Sequence, residues 1–450
     1  MLKTGMRIEG TIQSAKRGQG VMRHGKDTIF VRHAMPGEQV RVRIGKPLRD
    51  GWSASLDTVI KAHPHRIEPP CPLYARCGSC QLMHLDAQGQ LQWKKEQIVR
   101  EVNKAKLPLR VHDVIGMEDP DHYRNKMIIG FGRDEKGRPC AGLYEEFSHR
   151  IVPYRRCLMH PEACDDIAAS ILELMARFRI EPYDERRRGG FLRHVLIRTD
   201  HDVREILVTL VCTSDVFPSR KAFISELIRR HPAIRTVVLN VNRRQTSVVL
   251  GKEERILYGR GFITDELLGK TFAISSSSFY QINHRQCERL YQKAYDLLRP
   301  DPRMRVLDAY CGIGTIGLCI ADSIRTLTGV EINAQAVKDA RENARRNHAD
   351  NARFLCADAT RFIMEESRRH AHYDAIILDP PREGSTPAFL DACAALGPDR
   401  IIYISCNPLT QIRDLRYIMA KGYQCSDMYL FDMFPMSDDT ESLCLLTRRR

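Results

Sequence analysis

Chemistry in this 450-residue chain would centre on a sulfur atom. Cys406, in Ser405-Cys406-Asn407-Pro408, follows the apolar run 401–404 and precedes a proline that stops a strand. A core cysteine usually lies within its strand; at a strand end the thiol is either inert or, as a thiolate, a nucleophile. Leu378-Asp379-Pro380-Pro381-Arg382-Glu383-Gly384 follows another apolar run, 375–378. Two prolines stiffen that loop without adding backbone donors, which holds Asp379 and Arg382 outward. In Asp308-Ala309-Tyr310-Cys311-Gly312-Ile313-Gly314-Thr315-Ile316-Gly317 the glycines fit G-x-G-x-x-G between a strand and a helix. Such a turn lets a ligand approach the backbone, and suits NAD, FAD or S-adenosylmethionine; the plain alternative is a turn that packs helix on strand. Glu331 ends the next strand, where a carboxylate can accept two hydrogen bonds from ribose hydroxyls. A dehydrogenase has no evident need for the Asp-Pro-Pro loop. Amino-group methylases carry a related loop with an aromatic after the prolines; Arg382 stands there instead, which argues against an exocyclic amine target.

A second set of thiols reads differently. Cys71-x5-Cys77-x2-Cys80 is dense beside a proline-rich turn, and Cys157, in Tyr154-Arg155-Arg156-Cys157, is a distant fourth. Four thiolates suit zinc or an iron–sulfur cluster, and spacing does not choose between them. Cys164 and Cys140 compete for the fourth place.

These groups need elements to position them. Residues 1–62 read as a small β-barrel: alternating runs at 7–12, 28–31 and 39–44 are separated by turns at Gly18-Gln19-Gly20 and Pro36-Gly37. Arg and Lys alternate with its apolar residues and give a basic outer face. A linker (His63-Pro64-His65, Pro69-Pro70-Cys71-Pro72) leads to the cysteine patch and a basic helix over 91–106. The region 63–285 reads as one α+β domain, with strands at 195–197, 206–211 and 237–239 and a helix over 221–230. From 286 to 450, a helix over 287–298 and short buried strands at 305–308, 328–330, 375–378 and 401–404 alternate, as in a parallel, doubly wound, Rossmann-like α/β sheet. A final strand at 443–446 follows Glu441, which alone reads as a solvated loop carboxylate.

Composition narrows the partners. Lys and Arg number 70 against 56 Asp and Glu, a net charge of +14, which biases the chain toward RNA or DNA. No apolar run approaches the roughly 20 residues of a membrane span, and the first residues lack a secretory signal. With 15 Cys, mostly read as reduced thiols, the expectation is a cytoplasmic protein with no membrane and no obligate protein partner. The terminal Arg448-Arg449-Arg450 reads as solvated or as a non-specific phosphate contact. Phe30 and Tyr123 read as core, or as platforms for unpaired bases.

Together these parts resemble the cysteine-dependent RNA uracil-C5 methyltransferases that make 5-methyluridine, most closely the 23S rRNA enzymes with a TRAM domain and an iron–sulfur cluster. The similarity runs through Tyr123-Arg124-Asn125-Lys126, Ser278-Phe279-Tyr280-Gln281-Ile282-Asn283, the glycine loop, Asp379-Pro380-Pro381-Arg382, Ser405-Cys406-Asn407-Pro408, and Asp432-Met433-Phe434-Pro435 followed by Glu441. It implies a TRAM-like N-terminal module, and S-adenosylmethionine held by Gln281, Tyr310, Glu331 and Asp379 with the loop of Gly312 and Gly314. It also implies a [4Fe-4S] cluster on Cys71, Cys77, Cys80 and Cys157, Cys406 as nucleophile and Glu441 as base. Arg382 is expected to meet charge developing on O4 of the base, or to place the RNA. The family's usual histidine-containing segment before the Glu reads Ser437-Asp438-Asp439-Thr440 here, and two carboxylates there would either raise the pKa of Glu441 or be solvated. The resemblance points to 23S rRNA and rRNA processing, with tRNA the alternative substrate. A non-catalytic RNA-binding or ribosome-assembly protein on the same fold is a further alternative.

Overall fold

The computed structural model describes every residue except Met1, Arg17, Phe147, Arg186, Ser247 and Arg450. The last arginine of the C-terminal run therefore lies outside the described residues.

The N-terminal strands Arg7–Thr11, Ser14–Lys16, Gln19–His24, Asp27–Arg32, Gln39–Leu48 and Gly51–Lys61 form one sheet, in the spatial order first, fifth, sixth, fourth, third, second. Its two edge strands are halves of a single bent stretch, separated only by Ile12 and Gln13. Ile12 N–H donates to Glu38 O at 2.9 Å, and Gln13 N–H to Val21 O at 2.8 Å. The sheet thereby curls into a small barrel. Period-two alternation sends Val40, Val42 and Ile44 into a core with Ile8, Met22, Ile29 and Val31. The intervening Arg41 faces outward and pairs with Glu9.

A central seven-stranded sheet orders Ile151–Pro153, Pro139–Tyr144, Lys126–Arg133, Leu192–Thr199, Ile206–Cys212, Ile234–Val241 and Glu253–Tyr258. Helices Glu162–Arg177 and Arg220–Arg230 share its apolar core.

The C-terminal sheet has nine strands. Five run parallel in the order Ala352–Cys356, Thr326–Glu331, Arg305–Ala309, Ala375–Leu378, Arg400–Ser405. The last strand, Glu441–Arg448, lies antiparallel to Arg400–Ser405 and to Asp427–Phe431. Alternate residues enter two cores, Val306, Ile377 and Ile402 in one and Leu307, Ile376 and Ile401 in the other. Burial on both faces is why these strands read as continuous apolar runs.

Segments within 63–285 also contribute to the C-terminal sheet and its cores. Strand Arg110–Ile115 extends the C-terminal sheet beside Asp427–Phe431, and Ile98 and Val102 of helix Ala87–Ala105 enter that sheet's core. Hairpin Phe262–Leu267/Lys270–Ser275 likewise buries Ile263, Leu267, Phe272 and Ile274 against it. The C-terminal sheet needs cover on an edge and a face, and these earlier segments supply it. No helix among the described residues is long and apolar enough to cross a membrane.

Candidate active site

Register brings the chemistry to one edge of the C-terminal sheet. The parallel strands pair Val330 with Ala309, Ala309 with Leu378, and Leu378 with Tyr403. Their carboxyl ends therefore deliver Glu331, Tyr310, Asp379 and Cys406 to the same rim, where open α/β sheets bind ligands. The neighbouring strand runs the other way, so it offers its beginning there. Ser405 lies opposite Ser442, which sets Glu441 beside the position just past Ser405, that of Cys406.

The glycine loop is tightly made. Tyr310 adopts φ +69° and Gly314 φ +84°; the left-handed conformation strains a tyrosine, and the surrounding turn holds it there. The Tyr310 ring packs on Phe389, centroids 5.4 Å apart. Gly317 N–H donates to Asp308 Oδ2 at 3.1 Å, and a Cβ at Gly317 would lie 2.8 Å from Leu327 Cδ2 and 2.9 Å from that oxygen, so any larger residue must displace both side chains. Asp308 Oδ1 has no hydrogen-bond partner among the described residues, and burial pushes its carboxyl up to about 8. Glu331 accepts from Gly312 N–H at 3.2 Å and Asn333 N–H at 2.8 Å, which fixes its two oxygens and leaves further lone pairs for a ligand's hydroxyls. A carboxylate pinned beside a glycine turn, with an orphaned buried oxygen behind it, fits an adenosyl-type cofactor.

The segment before helix His284–Leu298 carries Gln281, which is buried. Asn125 Nδ2 donates to Gln281 O at 2.9 Å, Asn125 N–H to Ile282 O at 2.9 Å, and Asn283 Nδ2 to Met433 O at 3.2 Å. This ties Tyr123-Arg124-Asn125-Lys126 to the approach to Glu441. Asn343 Nδ2 reaches Ile313 O of the glycine loop at 3.2 Å and Asn343 Oδ1 accepts from Ala273 N–H at 2.8 Å, so hairpin and loop are joined.

Electrostatics at the rim are acidic. Burial pushes the Asp379 carboxyl up to about 7. Glu441 is buried, both its oxygens lack hydrogen-bond partners among the described residues, and burial with Asp379 and Asp439 holds its carboxyl well above the ordinary range. Burial, then Glu441 and Asp379, push the Cys406 thiol up to about 12, opposed by Arg382. The thiol also stands just before helix Pro408–Met419, whose positive N-terminal end favours a thiolate. Arg382 Nη2 pairs with Asp439 Oδ1 at 2.5 Å, and its carbonyl accepts from Asn407 Nδ2 at 2.8 Å and Thr410 Oγ1 at 3.1 Å. The Arg382 loop is thus bolted to the Cys406 loop.

The thiols assemble elsewhere. Cys71, Cys77 and Cys157 each raise the pKa of Cys80, and Cys77 raises that of Cys157, so these four are neighbours. Tyr74, Met83, Met159 and Met436 pack around them. Cys164, in the core of the central sheet, has Asp165 as its charged neighbour and Cys140 has Asp134; neither joins the four. Among the described residues, no three of the four thiols have Sγ atoms mutually within 4.8 Å. Their nearest tie to the rim is mechanical: Gln81 and Leu82 N–H both donate to Met436 O at 2.9 Å. Tyr123, half-buried beside these thiols, donates to Pro435 O at 3.3 Å.

Sequence reasoning missed several members. Asp308 carried a signal, a lone carboxylate ending an apolar strand. Asp439 was visible only as a solvated alternative, and Asn407 only as part of a motif. Lys94 had none: it is fully buried and donates to Asp432 Oδ1 at 2.5 Å and Phe434 O at 3.0 Å, a partner 338 residues away.

Comparison with known proteins agrees with this picture. The model of the family described as tRNA (Uracil-5-)-methyltransferase matches residues 206–449. An uncharacterized RNA methyltransferase of Listeria innocua is 35% identical over 99% of this chain and 99% of its own. One of Oceanobacillus iheyensis is 36% identical over 96% of this chain and 94% of its own. Among solved structures, the Pyrococcus abyssi tRNA (uracil-54, C5)-methyltransferase in complex with S-adenosyl-L-homocysteine has the same fold. Its TM-score is 0.78 at 24% identity, covering 98% of this chain and all of that one.

Proposed function

The chain belongs to the tRNA (uracil-5-)-methyltransferase family, and from that premise we propose that it methylates C5 of a uridine in 23S rRNA, using S-adenosylmethionine, in the cytoplasm. The observation that carries the reading is the meeting of Cys406 and Glu441 across the Ser405–Ser442 pair, a half-buried thiol beside a buried carboxyl with no hydrogen-bond partner among the described residues.

S-Adenosylmethionine supplies an electrophilic methyl group. Gln281, Tyr310, Gly312, Gly314, Glu331 and Asp379 would hold it. C5 of uracil is too weak a nucleophile to take that methyl unaided. Addition of the Cys406 thiolate to C6 sends the C5–C6 π electrons toward O4 and makes C5 nucleophilic. Arg382 meets the charge that develops on O4. Once C5 is methylated, Glu441 as carboxylate removes the C5 proton; the electrons restore the C5–C6 double bond and expel Cys406. Burial suits Glu441 to this task, because an unsolvated carboxylate is a stronger base.

Cys71, Cys77, Cys80 and Cys157 would hold a [4Fe-4S] cluster. Four thiolates suit zinc or a cluster alike; the likeness of this thiol pattern to that of the cluster-bearing uracil-C5 methyltransferases supports the cluster. When bound, it supplies a rigid cross-link, and no step of the transfer uses it. The proposed units are 1–62 as a TRAM-like barrel for RNA, 63–285 as the cluster-bearing centre, and 286–450 as the catalytic unit, with the exchanges of elements described above.

The presence of both barrel and thiol set supports rRNA. The coverage of the whole Pyrococcus tRNA enzyme by this chain supports the second reading, tRNA, with the same chemistry. Methyl transfer from labelled cofactor to separated rRNA and tRNA pools, with nucleoside analysis for 5-methyluridine, distinguishes them. Label confined to tRNA replaces the first reading with the second, and absence of label from both removes the enzymatic reading.

A further inference from the structure

We propose that His201, Asp265 and His284 bind a divalent transition-metal cation of the zinc class, at a site separate from the four thiols and independent of the methyl-transfer reading. The three come from the turn after strand Leu192–Thr199, from hairpin strand Phe262–Leu267, and from the first residue of helix His284–Leu298. One ligand atom of each lies within 4.8 Å of the others. His201 Nδ1 is 2.6 Å from Asp265 Oδ1, and His284 Nδ1 is 3.5 Å from Asp265 Oδ2. The two rings stack with centroids 4.5 Å apart and planes 17° apart, so both Nδ1 atoms face one carboxylate.

The other nitrogens carry the argument. His201 Nε2 faces Asp202 Oδ1 and His284 Nε2 faces Glu288 Oε1, each at 3.5 Å. A neutral imidazole has a single N–H. Turned inward to Asp265, it leaves a bare Nε2 lone pair against an outer carboxylate. Turned outward, it leaves a bare Nδ1 lone pair against Asp265. Protonating both rings would stack two imidazolium ions face to face. A dication coordinated by the two Nδ1 atoms and Asp265 uses both inner lone pairs at once and turns each far N–H toward a carboxylate 3.5 Å away, the usual setting of a histidine metal ligand.

Two further features fit. His284 Nδ1 is buried with no hydrogen-bond partner among the described residues. The buried Asp265 is aimed by Tyr280, whose hydroxyl donates to Oδ2 at 3.0 Å, and by His201 and Glu266 N–H, which donate to Oδ1 at 3.1 and 3.0 Å. The His201 side chain is 36% exposed, which leaves a solvent-facing position for water as a fourth ligand. Two imidazoles and one carboxylate select zinc, cobalt or nickel over calcium or magnesium. A cation there would clamp segment 280–284, which carries Gln281, to the turn at His201.

Untagged full-length protein, dialysed against chelator and titrated with Co²⁺, tests this. The expected result is one equivalent bound through nitrogen and oxygen by X-ray absorption at the cobalt edge, a measurement that needs no substitution. That equivalent should vanish in His201→Ala and His284→Ala, together with the rise in melting temperature that Zn²⁺ gives the parent. Glu288→Gln should weaken binding by about 10–100-fold. Cobalt held only through sulfur, or equal uptake by the parent and both histidine variants, overturns the proposal.

Discussion

The backbone N–H of Gln81, the residue after Cys80, donates to the carbonyl of Met436, five residues before Glu441. Met436 itself holds φ +68°, and its own N–H donates to Gln90 Oε1 at 2.9 Å. The thiol-bearing segment therefore braces the loop that leads to Glu441. Cys77→Ser should abolish iron and sulfide incorporation and lower kcat more than it raises KM for S-adenosylmethionine, whereas Cys164→Ala should retain the iron. Metal analysis beside steady-state kinetics checks this, and full iron content in Cys77→Ser would remove that cysteine from the ligand set.

Glu441→Gln separates the two halves of the reaction. The amide cannot take the C5 proton but keeps the side chain's shape, so methylated RNA should stay attached through Cys406 and survive denaturing electrophoresis with ordinary uridine substrate. Turnover should fall by about 10²–10⁴-fold. Free product at parental rate would assign the base to another group.

The pair Arg382–Asp439 predicts a graded response. Arg382→Met should lower kcat by about 100-fold if it faces charge on O4. Asp439→Asn frees the guanidinium and removes a neighbour that raises the Glu441 pKa, so it should shift the pH profile of kcat to lower pH. Single-turnover methyl transfer across pH checks both, and an unchanged rate in Arg382→Met would leave that arginine without a catalytic role.

Lys94 and Asp432 form a buried pair, 0% and 6% exposed. Lys94→Met should cost about 3–5 kcal/mol by stranding a buried carboxylate, while Lys94→Met with Asp432→Leu should recover most of it. Urea unfolding of the three proteins gives the comparison; equal losses in single and double variants would contradict it.

Asp308 sets a pH slope on stability. Its folded pKa of about 8 exceeds the unfolded value of about 3.9, so the folded state binds the extra proton. The stabilisation is full below pH about 4 and is lost as pH rises through about 8, by up to about 1.4 kcal/mol per unit. Asp308→Asn should flatten that slope in unfolding titrations between those limits.

How much of this was legible in the sequence follows from where each signal lives. The strands Arg305–Ala309, Ala375–Leu378 and Arg400–Ser405 were readable because burial on both faces makes an unbroken apolar run. The loops after them were readable because glycine and proline carry their own backbone rules. Strand Arg110–Ile115 was not, since it is half-exposed and its partner, Asp427–Phe431, lies some 300 residues on. The barrel's closure was hidden in the bend at Ile12 and Gln13, and Lys94 looked like one more cation on a basic helix. Local patterns spoke for themselves; long-range pairings did not.

The central claim is a covalent bond between Cys406 and C6 of a uridine. Full-length protein mixed with S-adenosylmethionine and RNA containing 5-fluorouridine tests it directly, because fluorine at C5 cannot leave as a proton does. A denaturant-resistant RNA–protein adduct should accumulate with the parent chain and be absent from Cys406→Ala. An equal adduct in Cys406→Ala, or undiminished 5-methyluridine formation on ordinary RNA by that variant, would contradict the account.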